Sequence, residues 1–186
     1  MEINHIIMAT KAILEQIQAN NIVREKGGWE LWYQSELYDR LKRYGYNVTK
    51  EYSFVDKGIH SQRIDIACLN DWSTTNTAIE IKVKSLLHES DSIERNCYLE
   101  GIYADVIYCI QNMNNDMKKM LEYNSKIINE AICVGIIPFD WYGDVTPVMN
   151  ILTQVRDKYF FIQDMRLVYG NNFMYCLIIN KSNRNV

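Results

Sequence analysis

RIDIACLNDWSTTNTAIEIKVKS, residues 63–85, is the stretch on which the fold turns. It holds two β-prone runs, Arg63–Leu69 and Thr77–Val83, separated by the turn chemistry of Asn70-Asp71 and Ser73–Asn76. Alternate residues of a strand share a face. Glu80, Lys82 and Lys84 therefore point one way and Ile79, Ile81 and Val83 the other. In the first run, Ile64, Ile66 and Cys68 oppose Asp65. Pairing the two runs can put Asp65 on the face that carries Glu80 and Lys82, with the apolar faces packed into a core.

Working upstream, Asn47–Phe54 reads as a further strand, so the three form a meander. Before it, Trp29–Tyr44 reads as a helix with Leu37, Leu41 and Tyr44 on one stripe and Gly45 as its C-terminal cap. Residues 2–20 place Ile3, Ile6, Ile7, Ile13, Leu14 and Ile17 at helical spacing. Downstream, Glu89–Tyr103 is predicted as helix and Asp105–Ile110 (DVIYCI) as a short strand. Asp116–Ile132 follows as helix capped by Asn114 or Asn115, and Cys133–Phe139 as a buried strand. Pro147–Arg156 reads as helix, and RLVYG-NN-FMYCLII as a hairpin around Gly170-Asn171-Asn172. There is no internal repeat and no linker. The order gives one α/β domain with a mixed sheet.

Composition narrows the function. The chain has 186 residues with 48% hydrophobic and 23% charged, which is globular composition with material for a core. A net charge of -3 excludes a general basic coat that binds nucleic acid by charge alone. No run approaches the roughly 18 apolar residues needed to cross a bilayer, and the N-terminus lacks the basic start of a signal peptide. The five cysteines, Cys68, Cys97, Cys109, Cys133 and Cys176, have no zinc or disulfide spacing. They read as reduced thiols of a cytoplasmic protein, several in apolar runs. His5, His60 and His88 share no metal spacing and read as surface residues. Trp29, Trp32, Trp72 and Trp141 read as core or core-edge aromatics before they read as base-stacking platforms.

The chemistry lies in Asp65, Glu80 and Lys82. Two carboxylates a few ångströms apart repel unless a cation sits between them. A hard divalent ion such as Mg²⁺ (or Mn²⁺) takes oxygen ligands and keeps several waters. Asp65, Glu80 and the backbone carbonyl of Ile81 would supply three ligands. Lys82 is then placed to orient or deprotonate water, or to stabilise charge building on a phosphate. From the upstream helix, Glu36 is the preferred additional carboxylate at the metal, directly or through water. Glu30 competes with it, and Glu36 has the alternative of an i,i+4 surface pair with Arg40. Basic residues between Arg24 and Lys84, among them Arg40, Lys42, Arg43, Lys50, Lys57 and Arg63, suit contacts to a phosphate backbone.

In these residues the chain resembles the PD-(D/E)xK nuclease superfamily. The carrying residues are Glu36 on the helix, Asp65, and the Glu80-Ile81-Lys82 tripeptide on the following strand, within Trp29–Ile110. Position 64 is Ile where the motif's name has Pro, and Gln111 is followed by Asn115, so the Gln-x-x-x-Tyr element of the RecB-like branch is not matched. The resemblance implies a restriction-endonuclease-like mixed sheet flanked by helices, with a nuclease-like core over about residues 29–139. Residues 1–28 would add an N-terminal helix, and residues 140–186 a C-terminal extension that ends in the hairpin. It implies metal binding by Asp65 and Glu80, catalysis by Lys82, a weaker role for Glu36, and DNA as the substrate. The alternatives are an RNA-cleaving nuclease of the same fold and an inactive binding or regulatory module on it. Two-strand cleavage favours a homodimer, for which the apolar N-terminal helix offers an interface if it does not pack on the domain.

Overall fold

The computed structural model describes residues 1–17, 28–53, 63–69, 76–84, 95–123, 128–139, 144–159, 161–169 and 174–183. In chain order the elements are α1 (Ile3–Gln16), α2 (Gly28–Arg43), β1 (Val48–Ser53), β2 (Arg63–Cys68) and β3 (Thr77–Val83). They continue with α3 (Arg95–Tyr123), β4 (Glu130–Phe139), α4 (Thr146–Lys158), β5 (Asp164–Tyr169) and β6 (Met174–Asn183). The six strands form one mixed sheet in the order β1-β2-β3-β4-β6-β5. β1, β2 and β3 are the antiparallel meander. β4 runs parallel to β3, because the chain crosses over through α3 between them. The described residues thus form an α/β fold with a six-stranded mixed sheet flanked by four helices.

Each face of the sheet has its own core. On one face Ile66, Cys68, Ile79, Ile81, Val134 and Leu177 pack beneath α1 and α2, which contribute Ile6, Ile13, Leu14, Trp29, Tyr33, Leu37 and Leu41. On the other, Ala78, Ala131, Cys133, Ile137 and Ile178 pack beneath α3 and α4. The apolar stripe of α1, Ile6, Ile13 and Leu14, is therefore packed on the domain, the alternative to its serving as a dimer interface. Thr10 on α1 shares a hydrogen bond of 2.6 Å with the buried hydroxyl of Tyr33 on α2, which joins the two helices. β6 lies between β4 and β5 and pairs with β4 from Glu130↔Asn183 to Phe139↔Met174, so this strand is interior to the sheet and not an addition outside a core ending near residue 139.

The region of α3 differs from expectation: Glu130–Ile132, read as the end of a helix, open β4. DVIYCI, Asp105–Ile110, is not a strand but the middle of α3, a single helix of 29 residues that also absorbs Asn114 and Asn115. Its buried residues Tyr98, Ile102, Val106, Cys109, Ile110, Met113, Met117 and Met120 recur every three or four positions. That stripe lies on the sheet, and burying it outweighs the local β preference of Val106–Ile110. Gly135 on β4 lies against this stripe. A Cβ there would stand 2.7 Å from Met113 Sδ and 2.8 Å from Cys109 Sγ, so any larger residue at this point would make those side chains shift. Among the described residues no helix is long and apolar enough to cross a membrane. His60, His88, Trp72, Trp141, Lys57 and the Gly170-Asn171-Asn172 turn lie outside the described residues.

Candidate functional site

The site is built where β2 parts from β3. The two strands pair through Cys68↔Thr77, Ala67↔Ala78 and Ile66↔Ile79, and there the ladder stops. Within β3 the amides of odd-numbered residues face β2, while even-numbered Lys84 donates to Ile136 O of β4 at 2.9 Å. Beyond Ile79, the odd-numbered amides lose their strand partner and carboxylates take over. Asp65 Oδ2 accepts the Ile81 N–H at 2.7 Å, and Glu30 Oε2 accepts the Val83 N–H at 3.1 Å. The carbonyl of Asp65 accepts Gln34 Nε2 at 2.8 Å, and the carbonyl of Lys84 accepts Trp29 Nε1 at 3.1 Å. Side chains of α2 thus close the gap on one side. β1 bends at the same level. Glu51 is absent from the ladder between Lys50↔Ile66 and Tyr52↔Ile64, and its φ of 47° is the left-handed conformation that non-glycine residues seldom adopt.

This geometry gathers the sequence-predicted residues. The Asp65 carboxylate lies against the peptide joining Glu80 to Ile81. Glu80 and Lys82 project toward α3, and Lys82 Nζ is 2.9 Å from Glu80 Oε1 and 3.0 Å from Asp116 Oδ2. Next along β3, Lys84 Nζ is 3.3 Å from Asp105 Oδ1 and 4.2 Å from the centre of the Tyr108 ring. Asp105 and Asp116 are eleven residues apart, about three helical turns, and so line the flank of α3 that faces these lysines. Sequence reading missed Asp116, because splitting α3 into helix, strand and helix hid that stripe.

On α2 it is Glu30 that reaches the edge of β3, whereas the preferred Glu36 is not brought to it. Trp29, Tyr33, Leu37 and Leu41 are buried against the sheet, and Glu30 and Gln34 flank that stripe on the side of β3. Glu36 is six residues after Glu30, about 120° round the axis at 100° per residue, on the opposite flank. Arg40 is not its partner either, for it reaches Gln16 Oε1 at 2.6 Å and Ala12 O on α1.

The electrostatics follow from the crowding. Burial pushes the Glu80 carboxyl up to about 7, the charge of Asp65 adds to this, and the Lys82 ammonium offsets only part of it. Burial likewise raises Asp65, against the pull of the Ile81 amide and Lys82, with Glu30 and Asp116 adding repulsion. For Lys82, burial favours loss of the proton, but Glu80 and Asp116 together outweigh it and hold the ammonium above its usual range.

Among the described residues no group of three or more His, Cys, Asp or Glu side chains is gathered as a ready metal cage. The donor set that remains fits a hard divalent ion in another way. Asp65 Oδ1 and Glu80 Oε2 have no hydrogen-bond partner among the described residues. The Ile81 carbonyl faces the side from which β2 has withdrawn. Such a set supplies oxygen ligands only and leaves room for water, as Mg²⁺ and Mn²⁺ require. A cation would also favour the charged carboxylates that burial disfavours, and would relieve the repulsion that adds to it. Comparison with known proteins finds no matching family model, no matching curated protein and no matching solved structure.

Proposed function

We propose that the protein is a metal-dependent nuclease that hydrolyses phosphodiester bonds, with DNA as its substrate, on a restriction-endonuclease-like fold. The observation that carries this reading is the convergence of Asp65, Glu80 and Lys82 at the point where β2 leaves β3, with Glu80 raised to about 7. Asp65, Glu80 and the Ile81 carbonyl would hold Mg²⁺ or Mn²⁺, with Glu30 beside them. When bound, the ion would neutralise phosphate charge and lower the pKa of water. Lys82 keeps its proton, so its part is to hold a fixed positive charge over the negative charge that develops on the phosphate. Glu80 Oε1 orients that ammonium, and Asp116 steadies it from the helix. Glu30 and Gln34 fix the edge of β3 and the backbone of Asp65, so the two carboxylates cannot relax apart.

A second reading, a binding module without chemistry, is favoured by one observation: the Lys82 ammonium is already satisfied by two carboxylates. One experiment separates the two. Supercoiled DNA, linear DNA, single-stranded DNA and RNA are incubated with the protein and Mn²⁺, with Lys82→Ala as control. Cleavage of DNA by the wild type and its loss in Lys82→Ala supports the nuclease. Cleavage of RNA alone changes the substrate and keeps the site. Mn²⁺ binding by calorimetry without cleavage of any substrate supports the module. Equal cleavage by wild type and Lys82→Ala would remove the site altogether.

A further inference from the structure

On the other flank of α3 from Lys82 lies a cavity of about 500 Å³, between the C-terminal half of that helix and the ends of β5 and β6. Its volume is that of a small-molecule site. Met117, Leu121 and Phe161 give it apolar walls, and Asn114, Asn180, Gln163, Ser182, Lys118 and Lys181 bring polar groups to its lining. Asn180 is 4% exposed, and its Nδ2 donates to Asn114 Oδ1 at 3.0 Å. That bond leaves the Asn180 carbonyl oxygen and the Asn114 amino group without a hydrogen-bond partner among the described residues. Neither atom is among the buried unpaired groups of the described residues, so both stay open to water or a ligand from the cavity. Here an acceptor and a donor lie side by side on a cavity wall, and the complement is a ligand edge that presents a donor beside an acceptor.

The charges at the rim are unequal. Lys181 is committed to the buried carboxylate of Glu130, which also binds Thr77 Oγ1 at 3.0 Å. Lys118 is exposed, and no described carboxylate pairs with it. The cavity therefore offers an apolar lining, the amide groups of buried Asn180 and of Asn114, and the exposed Lys118 ammonium, which no described carboxylate pairs. A nitrogen heterocycle meets the first two requirements, and a single phosphate meets the third. We propose that this cavity is a binding site for a nucleoside monophosphate, separate from the Asp65–Glu80–Lys82 cleft. The separation is fixed by the sheet. Glu80 pairs with Cys133 and Cys133 with Asn180, so the two sites are two strand spacings apart, about 10 Å, with the packed Cys133 and Met113 between them.

The test is calorimetry on the full chain with AMP, GMP, CMP and UMP, each at up to about millimolar concentration, with ribose 5-phosphate and inorganic phosphate as controls. At least one of the four nucleotides is expected to bind more tightly than both controls. Asn180→Leu and Lys118→Ala are each expected to weaken that nucleotide about tenfold or more, and thermal melts establish that both variants fold. Asp65→Asn, which disables the proposed catalytic site, is expected to bind as the wild type does. Three results would overturn the proposal: no nucleotide binds better than inorganic phosphate, binding is unchanged in both cavity variants, or binding is lost in Asp65→Asn. The last would put the nucleotide in the catalytic cleft. Because binding is read without metal or cleavage, failure of the nuclease reading leaves this result standing, and the reverse holds too.

Discussion

Replacing Glu80 by Gln should stabilise the protein at pH 8 while removing a ligand of the proposed metal site. The folded-state pKa of Glu80 is about 7 against an ordinary 4.5. Between those values the native state binds more protons than the unfolded chain, so stability falls as pH rises through the window and stays low above it. At 1.36 kcal/mol per unit the full effect is about 3 kcal/mol. Gln has the same shape and no charge to strand. At pH 5 the wild-type carboxyl is itself protonated, and the two proteins should melt together. At pH 8 the variant should be more stable by roughly 2–3 kcal/mol, which for a chain of this length is roughly 5–10 °C in Tm. The assay is differential scanning calorimetry at both pH values, in EDTA and in excess Mn²⁺. Mn²⁺ should raise the wild-type Tm at pH 8, since about 2.7 kcal/mol follows at a hundredfold excess over Kd, and leave Glu80→Gln unmoved. A Gln variant that is less stable than wild type at pH 8, or a wild type whose stability does not fall from pH 5 to 8, would refute the claim that these carboxylates repel in a partly buried cleft.

Other substitutions probe separate parts of the same architecture. Asp65→Asn keeps an oxygen for the Ile81 amide, so its Tm should change little, while DNA cleavage falls by at least about 100-fold, the upper loss seen for mere outer-shell partners. Glu30→Gln should weaken Mn²⁺ binding measured by calorimetry, and Glu36→Gln should not; equal effects would return Glu36 to the site. Gln34→Leu strips the Asp65 carbonyl of its donor and should cost about 1–3 kcal/mol in urea unfolding. Gly135→Ala forces a methyl onto Met113 and Cys109 and should cost about 1–2 kcal/mol net of the chain-entropy gain, again read by urea unfolding.

The parts of this fold that could be read in the chain are those where local pattern and tertiary environment agree. Arg63–Cys68 and Thr77–Val83 are β-prone, mostly apolar runs whose residues the sheet buries on both of its faces, Ile66 and Ile79 under α1 and α2 and Ile64 and Ala78 under α3 and α4, and they form the meander with β1. α3 was illegible for the opposite reason. Val106, Ile107, Tyr108, Cys109 and Ile110 prefer strand locally, and only the stripe running from Tyr98 to Met120, which needs the sheet opposite it, makes them helical. The candidate site divides along the same line. Asp65, Glu80 and Lys82 could be found because strand alternation puts them at one level of two neighbouring strands. Asp116 depended on α3 being whole. The choice of Glu30 over Glu36 depended on which flank of α2 faces β3, which the apolar spacing of Trp29, Tyr33, Leu37 and Leu41 leaves undecided until the sheet is in place. The parting of β2 from β3 was not readable at all, since nothing in Arg63–Cys68 differs from an ordinary paired strand. Yet that parting frees the Ile81 and Val83 amides for carboxylates. The irregularity that escapes sequence reading is thus what draws Asp65 and Glu30 to the edge that carries Glu80 and Lys82.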